Sequence, residues 1–135
     1  MADVCTDVED AVLIAALARA LVDTASADWV SGKPTPAIRT ALLRAASWRA
    51  ARSGLSGELI DPRSGAPVPA WTLLEDLLQL LAAALERSGD EGLVRGGFTR
   101  LREHGTGADR QRVAFGPRQS LEDVVSDTSR RTLSS

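Results

Sequence analysis

The sequence holds one cysteine and one histidine in 135 residues, and that scarcity excludes several classes of protein. Cys5 has no second cysteine to pair with, so no internal disulfide can staple the fold. With no histidine or basic residue near it, Cys5 reads as a small hydrophobe rather than a nucleophile. Cys5 and His104 together cannot supply the ligands of a zinc site, so any metal would have to come through carboxylates, and no metal ligand or catalytic residue is assigned. Positive charge is not in excess either: Lys plus Arg number 16 against 18 Asp plus Glu, a net charge of -2, which argues against nucleic acid as a partner. Long apolar runs are missing. Val12 to Val22 is broken by Arg19 and Leu77 to Leu85 by Gln79, and both fall short of the roughly 20 residues that cross a bilayer, so no membrane span is expected. The first ten residues carry Asp3, Asp7, Glu9 and Asp10 and no base, the wrong charge for a targeting peptide, and a cytoplasmic location is the expectation. No Gly-x-x-x-x-Gly-Lys-Ser/Thr occurs, and no Gly-x-Gly-x-x-Gly follows a strand, so the chain has no self-contained nucleotide loop.

What is present is helical periodicity on a scale suited to one domain. Thr6 and Glu9 have capping-box spacing, placing the start of a first helix near Asp7. That helix is apolar on nearly every side except at Arg19, the pattern of a helix covered by several neighbours. Ser31 to Thr35 break it, and Thr35 with Pro36 predict a second helix over residues 36–52, stopped by Gly54. Glu58-Leu59-Ile60, a turn at 61–65 and the Pro67-Val68-Pro69 triplet predict a small hairpin or extended loop, the second strand an edge strand at best. Trp71, Leu74, Leu78, Leu81 and Leu85 recur at helical spacing, predicting an amphipathic helix that ends at Gly89. Asp90 is positioned to cap a fourth helix to about Glu103, weakened or bent by Gly96 and Gly97, which each cost roughly 1 kcal/mol relative to alanine. A short helix over residues 106–114 follows, and Ser120 with Asp123 opens a last polar helix. The fold class expected is therefore mainly α, with four to six helices and one short β-hairpin. Residues 1–115 form the helical region and 116–135 a polar, frayed tail.

Three segments carry a resemblance. Ala2-Asp3-Val4-Cys5 runs into Val8-Glu9-Asp10-Ala11-Val12. Leu43 to Leu55 reads Leu-Arg-Ala-Ala-Ser-Trp-Arg-Ala-Ala-Arg-Ser-Gly-Leu, with Gly57 to Pro69 after it. Gly105-Thr106-Gly107-Ala108-Asp109-Arg110-Gln111-Arg112 is the third. In order and spacing these resemble the C-terminal end of bacterial carboxylate-amine ligases of the glutamate-cysteine ligase type, over most of Met1 to Arg112. The resemblance implies the helical C-terminal portion of an α+β enzyme that uses ATP and magnesium to turn a carboxylate, typically that of glutamate, into an acyl phosphate which an amine attacks. It also implies that the strand bearing a Glu-x-Arg motif, and most of the catalytic sheet, would precede residue 1, leaving this chain inactive alone and with no cofactor of its own. The missing N-terminal ligase half is then the expected partner. The residue chemistry points the same way, since magnesium-assisted phosphoryl transfer needs carboxylates and cations on a rigid scaffold, and one hairpin offers little of that.

Candidate site residues are all arginines. Arg44, Trp48 and Arg52 share one face of the second helix, either as a cationic wall toward an anionic substrate or as a solvated face with Trp48 as an apolar anchor. Arg49 continues the apolar stripe of Ile38, Leu42, Ala45 and Ala46, where its charge must meet a carboxylate, a carbonyl or a ligand. No partner for it is evident within the chain. Arg110 and Arg112 follow Gly105-Thr106-Gly107 and are candidates for a phosphate at a helix start, against the reading of a plain loop with an N-cap in which Asp109 is a first-turn acid. The alternative to a ligase portion is a non-catalytic helical module that binds a partner, or itself, through apolar helix faces.

Overall fold

A computed structural model describes Cys5 and residues 7–116 and 119–133. Among these, six helices and one hairpin follow in the order α1 Val8–Val30, α2 Thr40–Ser53, β1 Glu58–Ile60, β2 Pro67–Pro69, α3 Ala70–Ser88, α4 Glu91–His104, α5 Gly107–Phe115 and α6 Leu121–Leu133. The mainly α class with one short hairpin is thus the observed one. Two units divide the chain, Met1–Ala20 with Leu85–Ser135, and Leu21–Ala84.

In the first unit, the Asp7 carboxylate accepts the Glu9 backbone N–H at 2.9 Å and so caps α1. The Thr6–Glu9 capping box lies outside the described residues. Three contacts fix how α1 meets α4. Arg19 pairs with Asp90, Leu13 lies over Gly97, and Asp10 pairs with Arg100. Position numbers rise on one helix as they fall on the other, so the two helices run antiparallel. At the crossing, a Cβ added to Gly97 would stand 2.9 Å from Leu13 Cδ1. Helix α4 continues unbroken through both glycines, and Gly97 provides the space that lets the buried Leu13 seat against the α4 backbone. Leu13, Ala16, Ala20, Leu85, Val94 and Phe98 are the buried apolar side chains of this unit.

Asp90 stands at the N-cap of α4, but its side chain makes no cap bond. Its carboxylate is drawn instead to Arg19 and to the Ser88 hydroxyl at 2.9 Å. The end of α3 closes with the Asp90 N–H on the Leu85 carbonyl at 3.0 Å and the Gly89 N–H on Glu86 at 3.1 Å, the paired bonds of a helix terminated by a left-handed residue, here Gly89 with φ 74°. Helix α5 opens with a full capping box: Thr106 accepts from the Asp109 N–H, and Asp109 accepts from the Thr106 N–H. Helix α6 packs on α5.

In the second unit, α2 begins at Thr40 rather than near Pro36. Ile38 N–H turns back to the Pro36 carbonyl at 2.9 Å, and Arg39 remains extended (φ -64°, ψ 132°) with no side-chain cap bond. A proline that fixes its own φ favours a helix start but does not compel one when the next residues close a tighter turn. The hairpin pairs Glu58 with Pro69, Leu59 with Val68 and Ile60 with Pro67. Outside it, Asp61 N–H bonds Ala66 at 3.0 Å and Ala70 N–H bonds Gly57 at 2.9 Å. Because bonded and non-bonded pairs alternate in an antiparallel ladder, both prolines occupy non-bonded pairs, where no N–H is required of them. The turn is held by the Asp61 carboxylate, which accepts from Arg63 N–H at 3.0 Å and the Ser64 hydroxyl at 2.7 Å. Ala70, Leu81 and Ala84 are this unit's buried apolar residues.

Helix α1 departs from expectation in one respect. Only Leu13, Ala16 and Ala20 of it are buried, while Val8, Val12, Ile14, Leu21, Val22, Trp29 and Val30 are exposed. The neighbours that its all-round apolar sequence implied are not all present among the described residues.

The two adjacent glycines of α4 provide a direct test. Gly97→Ala is expected to destabilise the protein by about 1–3 kcal/mol, the cost of forcing a methyl into a filled contact. Gly96→Ala, with open space around the added carbon, should stabilise it by about 0.5–1 kcal/mol. Urea denaturation of both variants measures the contrast, and equal effects would show that the α1–α4 crossing is looser than described.

Candidate functional site

One carboxylate organises the polar groups of the first unit. Asp10, in the first turn of α1, accepts from Arg100 of α4 at 2.8 Å and from Arg110 of α5 at 2.9 Å, and its side chain is only 14% exposed. Arg100 also reaches Glu9 at 2.8 Å, and Arg110 donates to the Gly105 carbonyl at 3.0 Å. The Nε atoms of both arginines are buried and without a hydrogen-bond partner among the described residues. The antiparallel crossing explains the placement. One turn before Leu13 on α1 is Asp10, and one turn after Gly97 on α4 is Arg100, so seating the first pair brings the second within reach.

Beside this cluster lies a cavity of about 470 Å3, lined among others by Asp7, Arg100, His104, Arg110, Asp127 and Arg131. His104 Nδ1 faces the Arg100 carbonyl at 3.2 Å, and Arg131 of α6 pairs with Asp127 at 2.8 Å. Burial pushes Asp10 up, but the hydrogen bonds from Arg100 and Arg110 outweigh it and hold its carboxyl below the usual carboxylate range. The hydrogen bond to Asp10 in turn raises Arg100. The Thr106 hydroxyl and backbone N–H hold Asp109 low, and Arg131 does the same for Asp127. The lining is rich in both signs of charge, and its carboxylates Asp109 and Asp127 already face donors.

The candidate arginines separate between the two units. Arg110 sits in the Asp10 cluster, its terminal nitrogens engaged by Asp10 and Gly105. Arg112 is exposed and pairs with Asp109 at 2.7 Å, so the Gly105-Thr106-Gly107 segment serves as a loop and N-cap. In the second unit Arg52 lies over the Trp48 ring, 5.7 Å from its centroid, and Arg44 is exposed. Arg49 is half-buried and meets a carbonyl, as its stripe required, but one inside the chain that was not evident from the sequence: its Nε donates to the Glu58 carbonyl at 3.0 Å. Glu58 is in a non-bonded pair of the hairpin, so its carbonyl faces away from β2, which leaves it free to receive the guanidinium. The feature that sequence reasoning missed is Asp10, whose only visible signal was its position one turn before an apolar stripe.

Among the described residues no three His, Cys, Asp or Glu side chains converge as metal ligands, and no helix is long and apolar enough to cross a membrane.

With that geometry established, the comparisons with known proteins are consistent with one another. The family model described as Glutamate-cysteine ligase family 2 matches residues 1–128. A Frankia alni protein provisionally named glutamate-cysteine ligase 2-2 is 48% identical over 132 residues, covering 98% of this chain and 34% of the relative. A Salinispora arenicola protein with the provisional name glutamate-cysteine ligase 2 is 54% identical over 110 residues, 82% of this chain and 29% of its own length. One from Streptomyces coelicolor, named likewise, is 46% identical over 132 residues, 98% of this chain and 36% of its own. No solved structure matches the chain. The chain belongs to glutamate-cysteine ligase family 2. It spans about a third of the length of the relatives it matches.

Two stability measurements follow. Because Asp10 is depressed below its unfolded value of 3.8, its contribution is fully present above that pH and is lost as pH falls through the folded value. Asp10→Asn should cost about 2 kcal/mol at neutral pH, in the range of charged hydrogen bonds rather than of a fully enclosed pair. It should also flatten the loss of stability below pH 4; thermal unfolding across pH 2–7 reads both, and parallel curves for variant and parent would refute the cluster. Arg49→Ala should cost about 1 kcal/mol by freeing the Glu58 carbonyl, with the exposed Arg39→Ala as control, and equal melting temperatures would remove the Arg49 link.

Proposed function

We propose that this chain is the C-terminal portion of an ATP-dependent carboxylate-amine ligase of the glutamate-cysteine ligase type. The observation that carries the reading is a family match through residues 1–128 by a chain that spans only about a third of its relatives. In the reaction so proposed, a glutamate carboxylate oxygen attacks the γ-phosphorus of ATP and ADP leaves. The amine lone pair then attacks the acyl phosphate carbon, phosphate leaves with the C–O bond electrons, and the amine loses a proton to give the amide.

The described residues do not fit a magnesium site, because their carboxylates are dispersed and the clustered ones face arginines. In this reading nucleotide, magnesium and acyl phosphate belong to the part of such a ligase that this chain does not match. This portion acts as a helical scaffold, and the exposed Arg44 and Arg52 are its candidate groups for an anionic substrate. Arg49, Arg110 and Arg112 take structural roles in this reading, since each already has a partner within the chain. The cytoplasm, where ATP is available, is the proposed location. A second reading, a helical module that binds a partner or itself, draws support from the exposed apolar side chains of α1.

Incubated alone with glutamate, an amine, ATP and magnesium, the chain should release no ADP above a heat-inactivated control. A chimera in which it replaces the 132 matched residues of the Frankia alni relative should form the γ-glutamyl amide. Turnover by the chain alone, or a folded chimera without turnover beside an active parent relative, overturns the assignment.

A further inference from the structure

In the first unit an apolar groove of about 280 Å3 runs between α1 and α4, with Leu13 and Gly97 in its lining, Val8 and Val12 on one side and Leu93 on the other. Val8 is 54% exposed, Val12 44% and Leu93 43%. Each stands beside the core rather than remote from it: Leu13 next to Val12 and Val94 next to Leu93 are buried. The groove is thus an open continuation of the Leu13–Gly97 crossing. Glu9 and Arg100, the charged groups in its lining, face each other at 2.8 Å. Their charges cancel locally, so an ionic ligand gains little there, while an aliphatic occupant would bury the flanking side chains.

We propose that this groove is the docking surface for apolar side chains from the part of the ligase polypeptide that this chain does not match. The inference rests on the ligase reading above. The matched segment is a third of a longer relative, and on the ligase reading it packs against the other two-thirds. Of the apolar surface of this unit, the groove is the concave part that borders the core crossing. Val125 of α6, 64% exposed, does not line it.

Thiol labelling tests the groove directly. In a Cys5→Ser background, Val12→Cys and Leu93→Cys are compared with Val125→Cys, both in the isolated chain and in the chimera with the Frankia alni relative, using an alkylating reagent. Burial should slow alkylation at positions 12 and 93 by about tenfold or more in the chimera relative to the isolated chain, while position 125 changes less than about twofold. Equal rates in the two proteins at positions 12 and 93 overturn the proposal. Slowing in the isolated chain that grows with its concentration also overturns it, by giving the groove to a second copy. The chimera's turnover reports separately on the ligase reading, so an active chimera with a fully reactive groove would sink this inference alone.

Discussion

Asp10 is the side chain on which the first unit depends. A single carboxylate receives guanidiniums from two other helices, and no other described contact links three helices of that unit through one group. Its partners are long and flexible, and fixing them costs side-chain entropy, so the arrangement is stable only because apolar packing has already brought the helices together. The Leu13–Gly97 seat supplies that packing. Hydrophobic contact sets the distance between α1 and α4, and the charges select the register and attach α5 to the pair. Such a division is common where ion pairs specify an arrangement more than they stabilise it.

The division of labour also accounts for what could be read from the sequence. Helix α3 was legible because Trp71, Leu74, Leu78, Leu81 and Leu85 repeat at helical spacing and the helix stops at Gly89, two local signals that need no tertiary information. The capping box of α5 was half visible, with Thr106 as cap and Asp109 as a first-turn acid. Helix α2 was placed four residues too early, since Thr35 and Pro36 look like a start while the Ile38–Pro36 turn that prevents one depends on backbone geometry. The contact at Gly97 was not visible. Propensity counts its missing side chain as a cost, and only the opposing Leu13 turns that absence into a contact. Asp10 was hidden for the same reason, because an acid near a helix start has a sufficient local explanation and its partners are 90 and 100 residues away.

The candidate arginines show what folding adds to a reading of positions alone. Of five cations at suggestive positions, Arg49, Arg110 and Arg112 hydrogen-bond within the chain, while Arg52 lies over Trp48 and Arg44 is exposed on the same helix. Arg49 and Arg110 each satisfy a backbone carbonyl that the local fold leaves open, Glu58 at the edge of the hairpin and Gly105 before α5. In both cases arginine donates to a backbone carbonyl that lies within its reach only once the chain has folded.

The hairpin carries a consequence of its own. A two-stranded sheet has two open edges, and each is a template on which a foreign strand can add and begin aggregation. Here Pro67 and Pro69 occupy the positions whose amides would point outward from β2, so that edge offers no donors to an incoming strand. On the β1 side the outward carbonyl of Glu58 is already taken by Arg49. One edge of this small sheet thus lacks outward donors by covalent structure, and on the other a helix side chain occupies an outward acceptor.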